Sequence, residues 1–304
     1  MINQHQRKFK EEREKNNLSA GRKPDWLKIK LPGGKNFSEV QGLMRKSKLN
    51  TVCEEAKCPN LAECWSHKTA TFMILGDTCT RSCGFCNVKV GMPNELDLDE
   101  PRRVAESVVE LGLRHVVITS VNRDELKDGG ASIFRDSVKL INETSPKCTV
   151  EILIPDFKGE EHAFDIIMEN PPHILNHNME TVKRIYHAVR PQAKYERSLE
   201  LINWFHQKGL RTKSGFMVGI GETKEEVIEL MKDLRAHNCD IMTIGQYLQP
   251  TKNHLPVDRY VTLEEFKFYK EEGEKMGFMA VESGPLVRSS YHADKHARDM
   301  WGEE

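Results

Sequence analysis

ATFMILGDTCTRSCGFC, residues 70–86, decides how the rest of the chain is read. It opens with an apolar run, Thr71–Leu75, that has the composition of a buried strand. Gly76 ends the run, and Cys79, Cys83 and Cys86 follow at C-x3-C-x2-C spacing, with Phe85 just before the last of them. A strand that feeds a ligand-rich loop fits a β/α barrel, where chemistry collects at the C-terminal ends of the strands.

A second group lies just upstream. CEEAKCPNLAEC carries Cys53, Cys58 and Cys64 at C-x4-C-x5-C spacing, so six of the eight cysteines fall within residues 53–86. Three disulfides would suit a small secreted domain, and a chain of 304 residues is not one. In a reducing compartment such a cluster reads as a metal site. Structural zinc takes four ligands, commonly as paired motifs. Each group here is a triad, although His67 keeps a Cys3His set open beside the first. An iron–sulfur cluster usually takes four thiolates, so a triad leaves one iron for a different side chain or for a substrate atom. Two triads suggest two clusters, each with one unusual position. Cys148 and Cys239 stand alone and read as small buried hydrophobes.

Outward from these motifs the chain alternates. Arg102–Leu111 reads as a helix with Pro101 at its first position and Gly112 just past its end. Strand-like runs follow at 115–120, 149–154, 174–175, 213–218, 241–247 and 278–281. Helical spacing appears at 132–143, and Thr223-x-x-Glu226 and Thr262-x-x-Glu265 are capping boxes before two more helices. Strand–helix alternation predicts a parallel sheet, and about six units favour a partial or complete barrel, with a doubly wound sheet as the alternative.

Composition excludes other classes. Lys and Arg number 45 against 46 Asp and Glu, a net charge of −1, so no global basic field exists for nucleic acid. No apolar run approaches the roughly 20 residues of a membrane-spanning helix. The opening MINQHQRKFKEEREKNN has no apolar core, which predicts no secretory signal and a cytoplasmic protein. Residues 1–30 hold nine basic side chains against four acidic ones. That head reads either as a solvated, partly disordered extension or as a contact for an acidic protein partner.

The C-x3-C-x2-C loop resembles the signature of the radical S-adenosylmethionine (SAM) enzymes. Further stretches resemble the lipoyl synthase family: VCEEAKCPNLAECW (52–65), RDELKDGGA (123–131), ILNHNMETV (174–182), TKSGFMVGIGET (212–223), IGQYLQPT (244–251) and GPLVRSSYHA (284–293). The resemblance spans about residues 24–295. It implies a partial (β/α)6 TIM-like barrel with N- and C-terminal extensions. The domain boundaries expected from it are 1–37 for the head, 38–69 for an auxiliary-cluster segment, 70–283 for the barrel and 284–304 for the terminal motif and tail.

The resemblance also implies a site. Cys79, Cys83 and Cys86 would hold a 4Fe–4S cluster whose open iron takes the amino and carboxylate groups of SAM. Cys53, Cys58 and Cys64 would hold an auxiliary 4Fe–4S cluster, with Ser290, or failing that Ser289, as its fourth ligand. The reaction implied is sulfur insertion at C6 and C8 of an octanoyl chain on a carrier lysine, the auxiliary cluster giving up its sulfide. Unactivated C–H bonds offer no acidic proton, so acid–base chemistry cannot reach them and a carbon radical can. Gly129 and Gly130 would lie near the methionine amino group, Asn178 and Glu180 near the ribose or amino group, and Lys213 near the carboxylate. Gly219, Gly221 and Glu222 would lie beside the adenine, and Arg288 near substrate or cluster. A bare G-x-G is weak, since helix entry alone explains it. His177, His254 and His292 read as structural or surface residues.

The implied partners are octanoylated carrier proteins (the glycine cleavage H protein and 2-oxoacid dehydrogenase lipoyl domains), an electron donor and an iron–sulfur carrier, with no nucleic acid and no membrane. Two other readings compete: an electron-transfer or iron–sulfur carrier protein, and a radical enzyme like biotin synthase or a methylthiotransferase. A carrier needs no barrel of some 200 residues, and the terminal serines with the first-triad spacing argue against the second.

Overall fold

The computed structural model describes residues 4–15, 21–28, 33–66, 71–290 and 293–297. His67 and His292 lie outside the described residues. Six strand–helix pairs run along the chain: β1 Thr71–Ile74 with α1 Glu100–Leu111, β2 His115–Ser120 with α2 Ala131–Thr144, β3 Thr149–Leu153 with α3 Glu161–Met168, β4 Ile174–Asn176 with α4 Tyr195–Gln207, β5 Arg211–Val218 with α5 Lys224–Ala236, and β6 Ile241–Gln246 with α6 Leu263–Lys275. A seventh strand, β7, is Ala280–Gly284.

The chain forms two compact units, one of residues 29–80, 88–176 and 290–304, the other of residues 1–28, 81–87 and 177–289. In the first, β1, β2, β3 and β4 pair in that order, all parallel, and Asn50–Thr51 adds an antiparallel edge to β1. All four residues of β1 and the middle four of β2 are buried, as expected of strands covered on both faces. Helix α1 turns Val104, Ala105 and Val108 inward and packs beside α2. In the second unit β5, β6 and β7 pair in parallel, and α6 packs along β7.

Both capping boxes form: the Thr223 and Thr262 hydroxyls accept the N–H of Glu226 and Glu265, whose carboxylates return to the cap amides. Gly112 ends α1 in the left-handed region, at φ 62°. Several boundaries move. Pro101 is the second residue of α1 rather than its first, because Glu100 already belongs to the helix. Strand β1 stops at Ile74 because Leu75 turns to φ 70°, and the last strand starts at Ala280, two residues later than the sequence pattern placed it. The charged head contains a helix, Gln4–Lys15, in which Gln6 is fully buried.

Candidate functional site: two thiol triads and the strand-end polar cluster

All eight cysteines are thiols. Cys148 and Cys239 are buried, as their isolation suggested, and burial pushes the Cys148 thiol up to about 12. Among the described residues no group of three or more His, Cys, Asp and Glu side chains converges on a single ion position. A cubane distributes its ligands over separate irons, so a cluster-binding triad need not converge in that way.

The first triad sits on short helical turns in the first unit. Thr51 caps helix Val52–Glu55 by accepting the Glu54 N–H, Cys53 O accepts the Cys58 N–H at 3.0 Å, and Cys64 lies on helix Leu61–Ser66. Trp65 is fully buried, its ring centroid 5.0 Å from that of Phe37. Burial pushes the Cys53 thiol up to about 12, and the charges of Cys58 and Cys64 add to the rise. A buried thiol raised by two neighbouring thiols gives up its proton readily only when a cation joins it. That donor set fits a cluster.

Cys79 follows β1 in the same unit. Leu75 and Gly76 both turn to positive φ, 70° and 92°, and redirect the chain. Two buried side chains hold that turn. Glu100, at the start of α1, accepts the Leu75 N–H at 2.7 Å, and Arg123 donates to Leu75 O at 3.1 Å. Burial pushes the Glu100 carboxyl up to about 7, against the pull of the Leu75 amide. Beyond the turn, Thr80 N–H and hydroxyl both donate to Asn122 O at 3.1 Å, and Asn122 N–H donates to Cys79 Sγ at 3.3 Å. That N–H, aimed at the sulfur, fixes the orientation of the Cys79 side chain.

Gly129 and Gly130 enter α2 at φ 60° and 92°. A Cβ at Gly130 would stand 2.3 Å from Leu75 Cδ1, and one at Gly129 would stand 2.7 Å from Phe157 Cδ1. Backbone and packing both require glycine at the two positions.

In the second unit, the sequence-derived residues after β4 come together. Asn178 Nδ2 donates to Glu180 at 3.0 Å and to Ser289 Oγ at 2.7 Å, while Ser289 returns a bond to Asn178 Oδ1 at 2.9 Å. Arg190 donates to Asn178 O at 2.6 Å. Burial raises the Glu180 carboxyl, and Arg190, Asn178 and Arg288 oppose that shift. Two glycines make room for the terminal motif: a Cβ at Gly215 would reach 3.2 Å from Ser289 Oγ, and one at Gly245 would reach 2.1 Å from Val287 O. Lys213 is fully buried on β5, two residues before Gly215 and so on the same face of the strand.

Glu222 ties down the turn that carries it. Its carboxylate accepts the N–H groups of Gly219, Ile220 and Gly221 at 2.6, 3.0 and 3.1 Å, stapling its own turn. Ser290 belongs to the first unit with the first triad, and helix Ala293–Ala297 just beyond it packs against β2. Sequence reasoning missed Asn122, Glu100 and Gln6, and it read His254 as structural or surface. Arg123 lay inside a quoted motif, but nothing in it signalled a grip on the Leu75 turn.

The chain matches the radical SAM superfamily over residues 73–234 and the N-terminal domain of lipoyl synthase over residues 2–58. It is 58% identical to a lipoyl synthase of Rubrobacter xylanophilus across 91% of its own length and 87% of that protein's. It is 56% identical to the mitochondrial lipoyl synthase of Nematostella vectensis, across 90% and 94%. Among solved structures, Streptococcus suis SuiB bound to S-adenosylmethionine superimposes with a TM-score of 0.56 at 13% identity, covering 84% of this chain and 58% of SuiB. That likeness speaks for the fold, an α/β barrel of the partial (β/α)6 kind.

Proposed function

The chain belongs to the lipoyl synthase family of the radical SAM superfamily, and from that membership we propose which of its residues do the work and on what partners. The family reaction is a sulfur transfer: sulfur enters at C6 and C8 of an octanoyl chain to make the lipoyl group. The protein is therefore a radical SAM sulfurtransferase.

We assign Cys79, Cys83 and Cys86 to the cluster that binds SAM. Bound there, the cluster supplies the electron that cleaves SAM and so the carbon radical that unactivated C–H bonds demand. Three thiolates leave one position open, as the cofactor requires. Asn122 holds the Cys79 sulfur in place through its backbone N–H. Gly129 and Gly130, packed under Phe157 and Leu75, shape the turn beside which the methionine amino group is read to lie. Asn178, Glu180 and Lys213 offer polar groups to the rest of the cofactor, while Glu222 holds the turn beside them.

Cys53, Cys58 and Cys64 are assigned to an auxiliary 4Fe–4S cluster that donates the sulfur, with Ser290 as its fourth ligand. Ser289 is the weaker choice, since its hydroxyl already gives and takes a bond with Asn178. An alkoxide is a poorer match than thiolate for a soft iron, which suits a ligand that must leave. Arg288, close enough to Glu180 to pull on its charge, is read as facing substrate.

The substrate class is a lipoyl-carrier protein bearing octanoyl-lysine. The H protein of glycine cleavage and the lipoyl domains of 2-oxoacid dehydrogenases are the proposed examples, with an electron donor and an iron–sulfur carrier as accessory partners. No described helix is long and apolar enough to cross a membrane. The cytoplasm is the proposed setting, a reducing compartment in which six clustered thiols stay reduced.

The observation that carries this reading is the pair of thiol triads in one family-matched chain. Its test is anaerobic reconstitution, then reductant, SAM and an octanoylated carrier peptide. About eight irons per chain, 5′-deoxyadenosine and a dithiolane product are expected, since each 4Fe–4S cluster holds four irons. Four irons, or zinc in either triad, would overturn it.

A further inference from the structure

We propose that His254 is a positioning residue for the segment carrying Cys83 and Cys86, and that Gln6 of the N-terminal helix shares that task. The proposal rests on reading this triad as the SAM-cluster site. Residues 81–87 contain no helix or strand, so their backbone groups depend on partners elsewhere. Gly84 N–H donates to Val189 O at 2.9 Å, and Leu255 N–H donates to Gly84 O at 3.0 Å. Three side chains complete the grip: Gln6 Nε2 donates to Ser82 O at 3.0 Å, Gln192 Nε2 donates to Ser82 Oγ at 3.1 Å, and His254 Nε2 lies 2.9 Å from Cys86 O.

The His254 ring is itself held. A carbonyl cannot donate, so the hydrogen resides on Nε2. In the neutral ring Nδ1 then accepts from the Thr251 hydroxyl, 2.9 Å away. Gln249 Nε2 donates to His254 O at 2.9 Å, which fixes the backbone beneath the ring. Packing leaves no slack: a Cβ on Gly84 would stand 2.8 Å from the Leu255 side chain and 2.9 Å from Gln6 Nε2. Gln6 lies in the most highly charged stretch of the chain yet is fully buried, and its bond to Ser82 accounts for that. Fixing the carbonyl of a ligand cysteine orients the arm that presents its sulfur, and such outer partners typically matter by 10- to 100-fold.

The test uses the full chain with Cys58→Ala as background, reconstituted anaerobically, so that only the SAM-cluster triad keeps its full ligand set. His254→Ala is compared with His254→Gln, whose amide N–H can still reach the carbonyl, and with Gln6→Ala. The readouts are the EPR spectrum of the reduced cluster with and without SAM, iron content, and 5′-deoxyadenosine formed without peptide. His254→Ala is expected to alter the SAM-dependent spectrum, or to lose iron, and to slow 5′-deoxyadenosine formation about tenfold. His254→Gln should recover most of the loss, and Gln6→Ala should cost about threefold. An unchanged spectrum and rate in His254→Ala, or a defect that His254→Gln fails to repair, would overturn the proposal. If the background protein itself shows no SAM-dependent spectrum, the cluster assignment has failed rather than the role of His254.

Discussion

The two cysteine triads offer similar sulfur chemistry on opposite kinds of scaffold. Cys53, Cys58 and Cys64 are spaced by bonds between near neighbours, such as Cys58 N–H to Cys53 O and Cys64 N–H to Asn60 O. Members of the second triad are each held by bonds that reach far along the chain. Asn122, 43 residues from Cys79, donates to its sulfur, and His254, 168 residues from Cys86, meets its carbonyl. The first group also leans on the sheet edge, where Thr51, the cap of the helix that carries Cys53, pairs with Phe72. A triad tied to strand ends and distant loops keeps its geometry only while the whole fold is intact. On the assignment proposed above, the first group would serve the cluster that is consumed and the second the cluster that holds the cofactor.

The sharpest way to break this contrast is to remove one thiol from each triad. Cys83→Ala should abolish both 5′-deoxyadenosine and dithiolane product. Cys58→Ala should abolish product while cofactor cleavage continues. Product at the normal rate from Cys58→Ala, read by mass spectrometry of the carrier peptide, would end the sulfur-donor assignment.

Next in size is the pH dependence expected from Glu100, which grips the turn before Cys79. Its carboxyl holds its proton more tightly in the folded chain, up to about 7, so its stabilising contribution is complete below the unfolded value and fades as pH rises through about 7. The swing is on the order of 3 kcal/mol, at about 1.4 kcal/mol per unit. Urea unfolding of the cluster-free chain at pH 5 and pH 8 measures it. Glu100→Gln should flatten the profile, and an equally steep profile in that variant would rule Glu100 out as its source.

Gly130→Ala should cost about 2 kcal/mol, from the positive φ and the Leu75 contact together. It should also weaken SAM binding more than it lowers the iron content of the first triad. Smallest is Thr223→Ala, which removes the α5 capping box for about 1 kcal/mol. That variant should lower the urea midpoint and leave the ratio of 5′-deoxyadenosine to product unchanged. A changed ratio would mean that general destabilisation, rather than triad identity, governs the split.

Much of this was legible residue by residue. The capping boxes at Thr223 and Thr262 formed as read, because Ncap and N3 are close in sequence and their bonds are local. The burial of Cys148 and Cys239 followed from their standing apart from the two triads, where a lone cysteine reads as a small hydrophobe. The ends of β1 and β7 were misplaced because apolar character outlasts the hydrogen-bonded ladder: Leu75 is buried yet already in a left-handed turn. Glu222 looked like a ligand-facing acid because its motif is shared by turns that bind phosphates and turns that bind themselves. Its bonds to three backbone amides of that turn were not visible in the motif.

Spacing and residue type alone determined that the chain carries two three-thiol groups, a strand–helix series and a serine motif near its end. Those properties are periodic or contiguous and survive in one dimension. Tertiary structure decided who holds the cysteines. Asn122 acts through its backbone N–H, Glu100 through a carboxylate beside a turn 25 residues earlier in the chain, and Gln6 through a buried amide within a basic head. None of these has a sequence signature, because a hydrogen bond between residues far apart along the chain depends on where folding brings them and not on what lies beside them.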